Sequence, residues 1–287
     1  MIFKAIKFGF AQTWTNKCLI VLYYLVNLIF GIILMIPFRS MLQNFIGSSL
    51  MGEKLAGRLD MDFLFEFIKH NPGLISCYAV LLPLLLVGYW LMLLFLSGGA
   101  LSLFIREDRF SAPQFWADAA KYFARFFRLF LWSSFIGIVL FCAQFIWTGI
   151  QWLMFGSDPY QSVLYWGGWI KVGFRYLSLI VFFIILDYAR IYTIRSDERR
   201  MRISLLQGLR FAVRNFGVTF GFAMLIFILG VILLVIYNPI ADLLHAPNTG
   251  IIVLLLIWQQ IYVALRMVLR LALYAGETKL YQQISVN

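Results

Sequence analysis

Arg190, Arg266 and Arg270 are the residues whose type and spacing in this 287-residue chain best fit them for chemistry. Each stands at the end of a long apolar run, and Asp187 precedes Arg190 by one helical turn. Three guanidinium groups near one membrane depth, with a single nearby carboxylate, suit an anionic headgroup, because arginine presents a planar fork of donors to phosphate. Arg266 lies 16 residues past Gly250, or roughly 24 Å along a helix rising 1.5 Å per residue. That depth is a few ångströms inside the boundary, from which the side chain can snorkel. The plainer reading is that Asp187 and Arg190 pair with each other, or with Arg266 or Arg270, as boundary charges. Asn27, Gln144, Gln259 and Gln260 lie toward the middle of apolar runs. Polar groups there are expensive in hydrocarbon and serve as interhelical glue or mark a function.

Other chemistry finds little support. His70 and His245 have no Cys, Asp or Glu at ligand spacing beside them, and Cys18, Cys77 and Cys142 stand singly near or within apolar runs. Such isolated cysteines are packing residues rather than a metal or disulfide set. No phosphate-cradling glycine loop, GxSxG, HExxH or paired intramembrane carboxylate is present. No catalytic residue, metal ligand or cofactor is therefore expected.

The elements that must hold these residues are membrane helices. Hydrophobic residues make up 62% of the chain and charged residues 13%, with a mean hydropathy of +0.86, whereas a soluble domain is about 25% charged. Six runs are long enough to span about 30 Å of hydrocarbon, at residues 18–37, 74–105, 129–155, 172–194, 216–237 and 250–275. Ahead of the first, residues 1–17 place Ile2, Phe3, Ile6, Phe10 and Trp14 on one face, as in an interfacial helix. Between the second and third, Asp118, Lys121, Arg125 and Arg128 form a polar stripe opposite Phe115, Ala119, Tyr122, Phe123, Phe126 and Phe130. Ser111 and Gln114 fit a capping box there. Residues 62–70 read as a short helix capped by Asp60 or Asp62, inside a polar connection covering residues 38–73. Pro83 and the Ser97-Gly98-Gly99 cluster fall inside the second span and favour close helix packing.

Lysine and arginine divide between alternate connections as eighteen against six. That asymmetry places both termini and the arginine-rich segment 187–215 in the cytoplasm. The net charge of +11 then reflects contact with anionic headgroups rather than nucleic acid. Arg106-Glu107-Asp108-Arg109 resembles Arg195-Ser196-Asp197-Glu198-Arg199, and each precedes a Ser-x-x-Gln start and a basic-aromatic pair. Arg190 precedes Asp197 by seven residues, as Arg270 precedes Glu277. The expected architecture is an all-α integral membrane protein with six transmembrane helices and cytoplasmic interfacial helices. One membrane domain spans 1–287, with three helix-plus-hairpin repeats at 1–105, 106–195 and 196–287.

The end of the fourth span (Asp187, Tyr188, Ala189, Arg190), the charged turn and residues 205–215 resemble the membrane domain attached to some glycerophosphodiester phosphodiesterases. The resemblance also extends to bacterial membrane proteins of similar build, and implies a cytoplasmic (inner) membrane location. The phosphodiesterase itself is a separate soluble barrel that nothing in this chain encodes, so neither its activity nor its functional residues carry over. Two classes of function stay open. The first is a non-enzymatic lipid-interacting scaffold or accessory subunit, with membrane lipids and a protein partner as its contacts. The second is a transporter or permease component with a midplane site near Asn27, Gln144 and Gln259, and a membrane-embedded enzyme comes third.

Overall fold

The computed structural model describes residues 1–47, 61–156, 160–244 and 249–286. Among them every regular element is an α-helix. The order is α1 (Ile2–Thr15), α2 (Lys17–Ile46), α3 (Met61–His70), α4 (Pro72–Arg106), α5 (Ala112–Cys142), α6 (Gln144–Phe155), α7 (Gln161–Ser196), α8 (Met201–Arg214), α9 (Phe216–Leu243) and α10 (Thr249–Val286). Six stretches are long and apolar enough to cross a bilayer: α2, α4, α5 with α6, α7, α9 and α10. No more than 17% of any of their most apolar windows is buried inside the protein. Leu86, Val139 and Leu254 are among the side chains left outside. Water would penalise that surface, and lipid tails accept it. The protein is an all-α, multi-pass membrane protein.

Several helices outrun the apolar runs that announce them. The first span continues past Pro37 to Ile46, although proline removes a donor and crowds the preceding turn. The gap is bridged from α4. The Tyr78 hydroxyl donates to the Leu34 carbonyl at 2.7 Å and accepts from the Phe38 N–H at 3.1 Å. Those are the two groups that an unbroken helix would have joined to each other. The third span is divided at Ala143, and its amphipathic beginning is continuous with the apolar part, both lying in α5. Helix also continues past residue 275, where the sixth apolar run ends, with Glu277, Thr278, Leu280 and Tyr281 buried in α10. Neither Ser-x-x-Gln start works as a cap. Ser111 precedes α5 without a side-chain bond, and Ser204 is buried inside α8, which Arg200 precedes. The Glu198 carboxylate instead accepts from the N–H groups of Arg199 and Arg200, both at 2.9 Å. Asp60, one of the two expected caps of α3, lies outside the described residues.

Contacts sort the chain into two compact units. The first holds Met1–Gln12, Gly98–Ile226 and Ala272–Asn287. Small residues bring its helices together. A Cβ on Gly99 would meet the Phe115 ring and carbonyl at 2.6–2.8 Å, and one on Gly98 would meet Tyr122 at 3.2 Å. Gly208 of α8 is pressed equally hard against the Ala189 backbone of α7. Ala5, Phe222, Ile226 and Leu280 form a hydrophobic cluster from α1, α9 and α10. The second unit holds Thr13–Ser97 and Phe227–Leu271. There Phe63 and Phe67 of α3 pack against Phe45 of α2 and Leu74 of α4, while Tyr237 stacks on Trp258 and Tyr262.

Candidate functional site: a buried charge cluster and a cationic surface

The end of α7 is buried without interruption from Ile184 to Ile191, so its polar side chains must find partners inside the protein. Arg190 donates to Asp187 Oδ1 at 2.8 Å, one helical turn back, and the two side chains are only 8% and 7% exposed. The guanidinium also lies over the Phe126 ring of α5 at 5.6 Å. From α10 comes Glu277, 2% exposed, within electrostatic reach of both Asp187 and Arg190. Among the described residues its Oε2 and the Arg190 Nε have no hydrogen-bond partner. The buried ring of Tyr188, between Asp187 and Arg190 in sequence, packs against Phe211 at 4.8 Å, which packs in turn against Tyr281 at 4.6 Å. Two carboxyl groups compete for one guanidinium. Charge can therefore be balanced within α7, through Asp187, or between α7 and α10, through Glu277. In so dry a place an unmatched charge costs several kcal/mol, about 3–5 when one partner is removed.

Around this core lies an exposed cationic surface. α4 and α7 each end on a non-glycine residue in the left-handed region, Glu107 at φ 58° and Asp197 at φ 47°. At the end of α4 the Glu107 N–H bonds the Phe104 carbonyl and the Asp108 N–H bonds the Leu103 carbonyl, closing the helix as a Schellman motif. The two acids then reach other helices. Glu107 accepts from Lys279 at 2.6 Å. Asp197 accepts from Arg125 at 2.7 Å and from Lys121 at 3.1 Å. The Arg125 bond first, and the Lys121 bond next, hold the Asp197 carboxyl below the usual carboxylate range. Asp118, also in the polar stripe of α5, is held by Arg106 and by Ser102 at 3.0 Å. Arg128, the last residue of that stripe, has no carboxylate partner among the described residues. Its Nε donates to the Ala124 carbonyl at 3.2 Å.

The remaining residues singled out by the sequence fall as follows. Arg266 and Arg270 belong to the second unit. Arg266 is exposed with its guanidinium 5.8 Å from the Tyr262 ring, and Arg270 is half-buried. In the same unit Gln260 accepts from the Tyr24 hydroxyl at 2.8 Å, Gln259 is exposed and Asn27 half-buried. In the first unit the buried Gln144 accepts from Arg175 at 3.1 and 3.3 Å. His70 is exposed, with Nδ1 2.9 Å from the Glu66 carbonyl, and His245 lies outside the described residues. The three cysteines are free thiols. Among the described residues no three His, Cys, Asp or Glu side chains gather as a metal site. Sequence reasoning missed Glu277 as a member of the cluster. Its seven-residue spacing from Arg270, two helical turns, was the available signal.

Fold and site together define a multi-pass helical membrane protein with an ion cluster sealed inside one unit. Comparison adds no relative: no protein-family model, no curated protein and no solved structure matches the chain.

Proposed function

We propose that the protein is a non-enzymatic multi-pass component of a bacterial cytoplasmic membrane, serving as a lipid-interacting scaffold or accessory subunit. Both termini and the arginine-rich turn face the cytoplasm in this reading, as the distribution of lysine and arginine favours. The observation that carries it is the make-up of the exposed faces of α1, the first half of α5, and α8. Each mixes large apolar side chains with cations: Phe3 and Trp14 with Lys7, Trp116 and Phe127 with Arg128, and Leu206 and Val213 with Arg210. A helix of this kind rests in the headgroup region, its apolar groups among the upper acyl carbons and its cations against lipid phosphate. Arg266, exposed on α10, is the member of the expected arginine trio best open to a headgroup. The likeness of residues 187–190 and 205–215 to the membrane domain of glycerophosphodiester phosphodiesterases fits a supporting role beside a soluble partner. The test is the lipid that accompanies the protein through purification in mild detergent. Anionic phospholipid enriched over the source membrane is expected, and a retained fraction with the bulk composition would refute the reading.

A transporter or permease is the second reading, and the Asp187–Arg190–Glu277 cluster favours it, because buried ionisable groups in membrane helices often lie on ion or proton paths. Proteoliposomes that acidify or alkalinise internally under a solute gradient, and cease to do so with Glu277→Gln, would decide for it.

A further inference from the structure

The face of α5 that carries Arg128 continues through Trp132, Phe135 and Val139, at successive steps of four, three and four residues, which places all four on one side of the helix. Trp132 is 38% exposed, Phe135 66% and Val139 72%. Cation and apolar groups therefore meet on a single stripe, with the indole at the junction. A second cation arrives there from α8, since the Arg202 guanidinium lies 4.1 Å from the centre of the Trp132 ring. Arg128 stands one turn before Trp132, on the same side of α5 and about 5–6 Å from it along the helix.

The acids nearby are already engaged. Asp197 is taken by Arg125 and Lys121, and Glu198 by the backbone ahead of α8. Neither Arg128 nor Arg202 makes an ion pair among the described residues. Arg202 also sits in the first turn of α8, where N–H groups add a partial positive charge.

We propose that Arg128, Arg202 and Trp132 form a binding site for the phosphate of one anionic phospholipid, whose acyl chain lies along Phe135 and Val139. Two guanidinium groups supply the fork of donors that a phosphodiester accepts. The indole holds Arg202 in place and suits the headgroup boundary. The exposed stripe beyond it distinguishes a lipid from free phosphate, because inorganic phosphate gains nothing from Phe135 or Val139. The site deepens the lipid-interacting reading above and rests on it.

The experiment uses the full chain in detergent and follows binding of phosphatidylglycerol added as mixed micelles, with phosphatidylcholine as the neutral comparison. An arginine near an anionic surface contributes about fivefold to affinity, so Arg128→Gln with Arg202→Gln should weaken phosphatidylglycerol binding about thirtyfold. Arg39→Gln with Lys69→Gln removes the same charge from α2 and α3, and should leave the binding near its original strength. Equal losses in the two double variants would mean diffuse attraction and would overturn the site. If wild type shows no preference for phosphatidylglycerol, the broader reading fails. If it shows the preference and the Arg128/Arg202 variant keeps it, the site alone fails. Inorganic phosphate displacing the lipid at equal concentration would also overturn it, as would a variant that keeps its lipid but changes oligomeric state, which would mark a protein contact. Should the double variant not fold, wild type and Trp132→Phe can be compared with phosphatidylglycerol brominated beside the headgroup. Loss of a distinct share of the fluorescence quenching in Trp132→Phe is expected, and unchanged quenching would refute the assignment.

Discussion

Replacing Gly208 with alanine tests whether the contact between α7 and α8 is as tight as it looks. A Cβ there would stand 2.6 Å from the Ala189 nitrogen and 2.7 Å from its Cα and Cβ. Carbon atoms prefer about 3.5–4.0 Å, so the helices would have to separate by close to an ångström. Backbone cannot rotate away as a side chain can, and overpacking of this kind costs about 1–3 kcal/mol. Alanine also favours the helix by about 1 kcal/mol over glycine, which would mask part of the loss. Gly173, in α7 with nothing within 4 Å of its would-be Cβ, provides the correction. Gly173→Ala carries the same helix preference and no clash, so the difference between the variants isolates the packing cost. Thermal unfolding in lipid-supplemented detergent, followed by tryptophan fluorescence, should place Gly208→Ala about 1–3 kcal/mol below Gly173→Ala. The displacement would also reach the charge cluster, because Ala189 lies between Tyr188 and Arg190 and the Tyr188 ring rests on Phe211. Equal stability of the two variants would show that the helices are not in backbone contact, and the account of how the cluster is sealed would fail with it.

Three further outcomes are expected. Arg190→Met strands the Asp187 carboxylate and should cost about 3–5 kcal/mol in the same assay, with Asp187→Leu added to it restoring part of the loss; a single variant of native stability would contradict the buried pair. Tyr78→Phe should lower stability by about 1–3 kcal/mol by leaving the Leu34 carbonyl and the Phe38 N–H without their bridge, and a neutral result would remove the bridge from the account. The lowered Asp197 carboxyl contributes stability that is complete above the ordinary carboxylate range near pH 4 and is lost as pH falls through its lower folded value. At neutral pH Asp197→Asn should therefore be less stable than wild type, by no more than about 1 kcal/mol for so exposed a group. The gap should shrink in high salt and close in acid, and a gap that widened in acid would reverse the assignment.

What could be read in advance was whatever depends on neighbours along the chain. The apolar runs mark the six long helices because length and composition are local properties. Of the apolar side of α5, Phe115, Ala119, Tyr122 and Phe126 are buried as their spacing requires while Phe123 and Phe130 are half-buried, and Asp187 and Arg190 meet because one helical turn separates them. What escaped depends on residues far away in sequence. Pro37 reads as an end to α2, since the tyrosine that repairs it belongs to another helix. The chain after residue 275 reads as a polar tail, yet Gly9 and Gly276 let α1 and α10 approach closely enough to bury it. Glu277 joins the charge cluster through the meeting of α10 with α7, ninety residues away along the chain.

The Tyr78 bridge constrains how the protein is made. While α2 enters the membrane, the residue that satisfies its broken turn has yet to be synthesised, and hydrocarbon has no donor or acceptor to lend. Until α4 emerges, the Leu34 carbonyl and the Phe38 N–H lack that partner. The bond that closes the turn at Pro37 therefore exists only once both helices are in place, and α2 is completed by a residue of its neighbour.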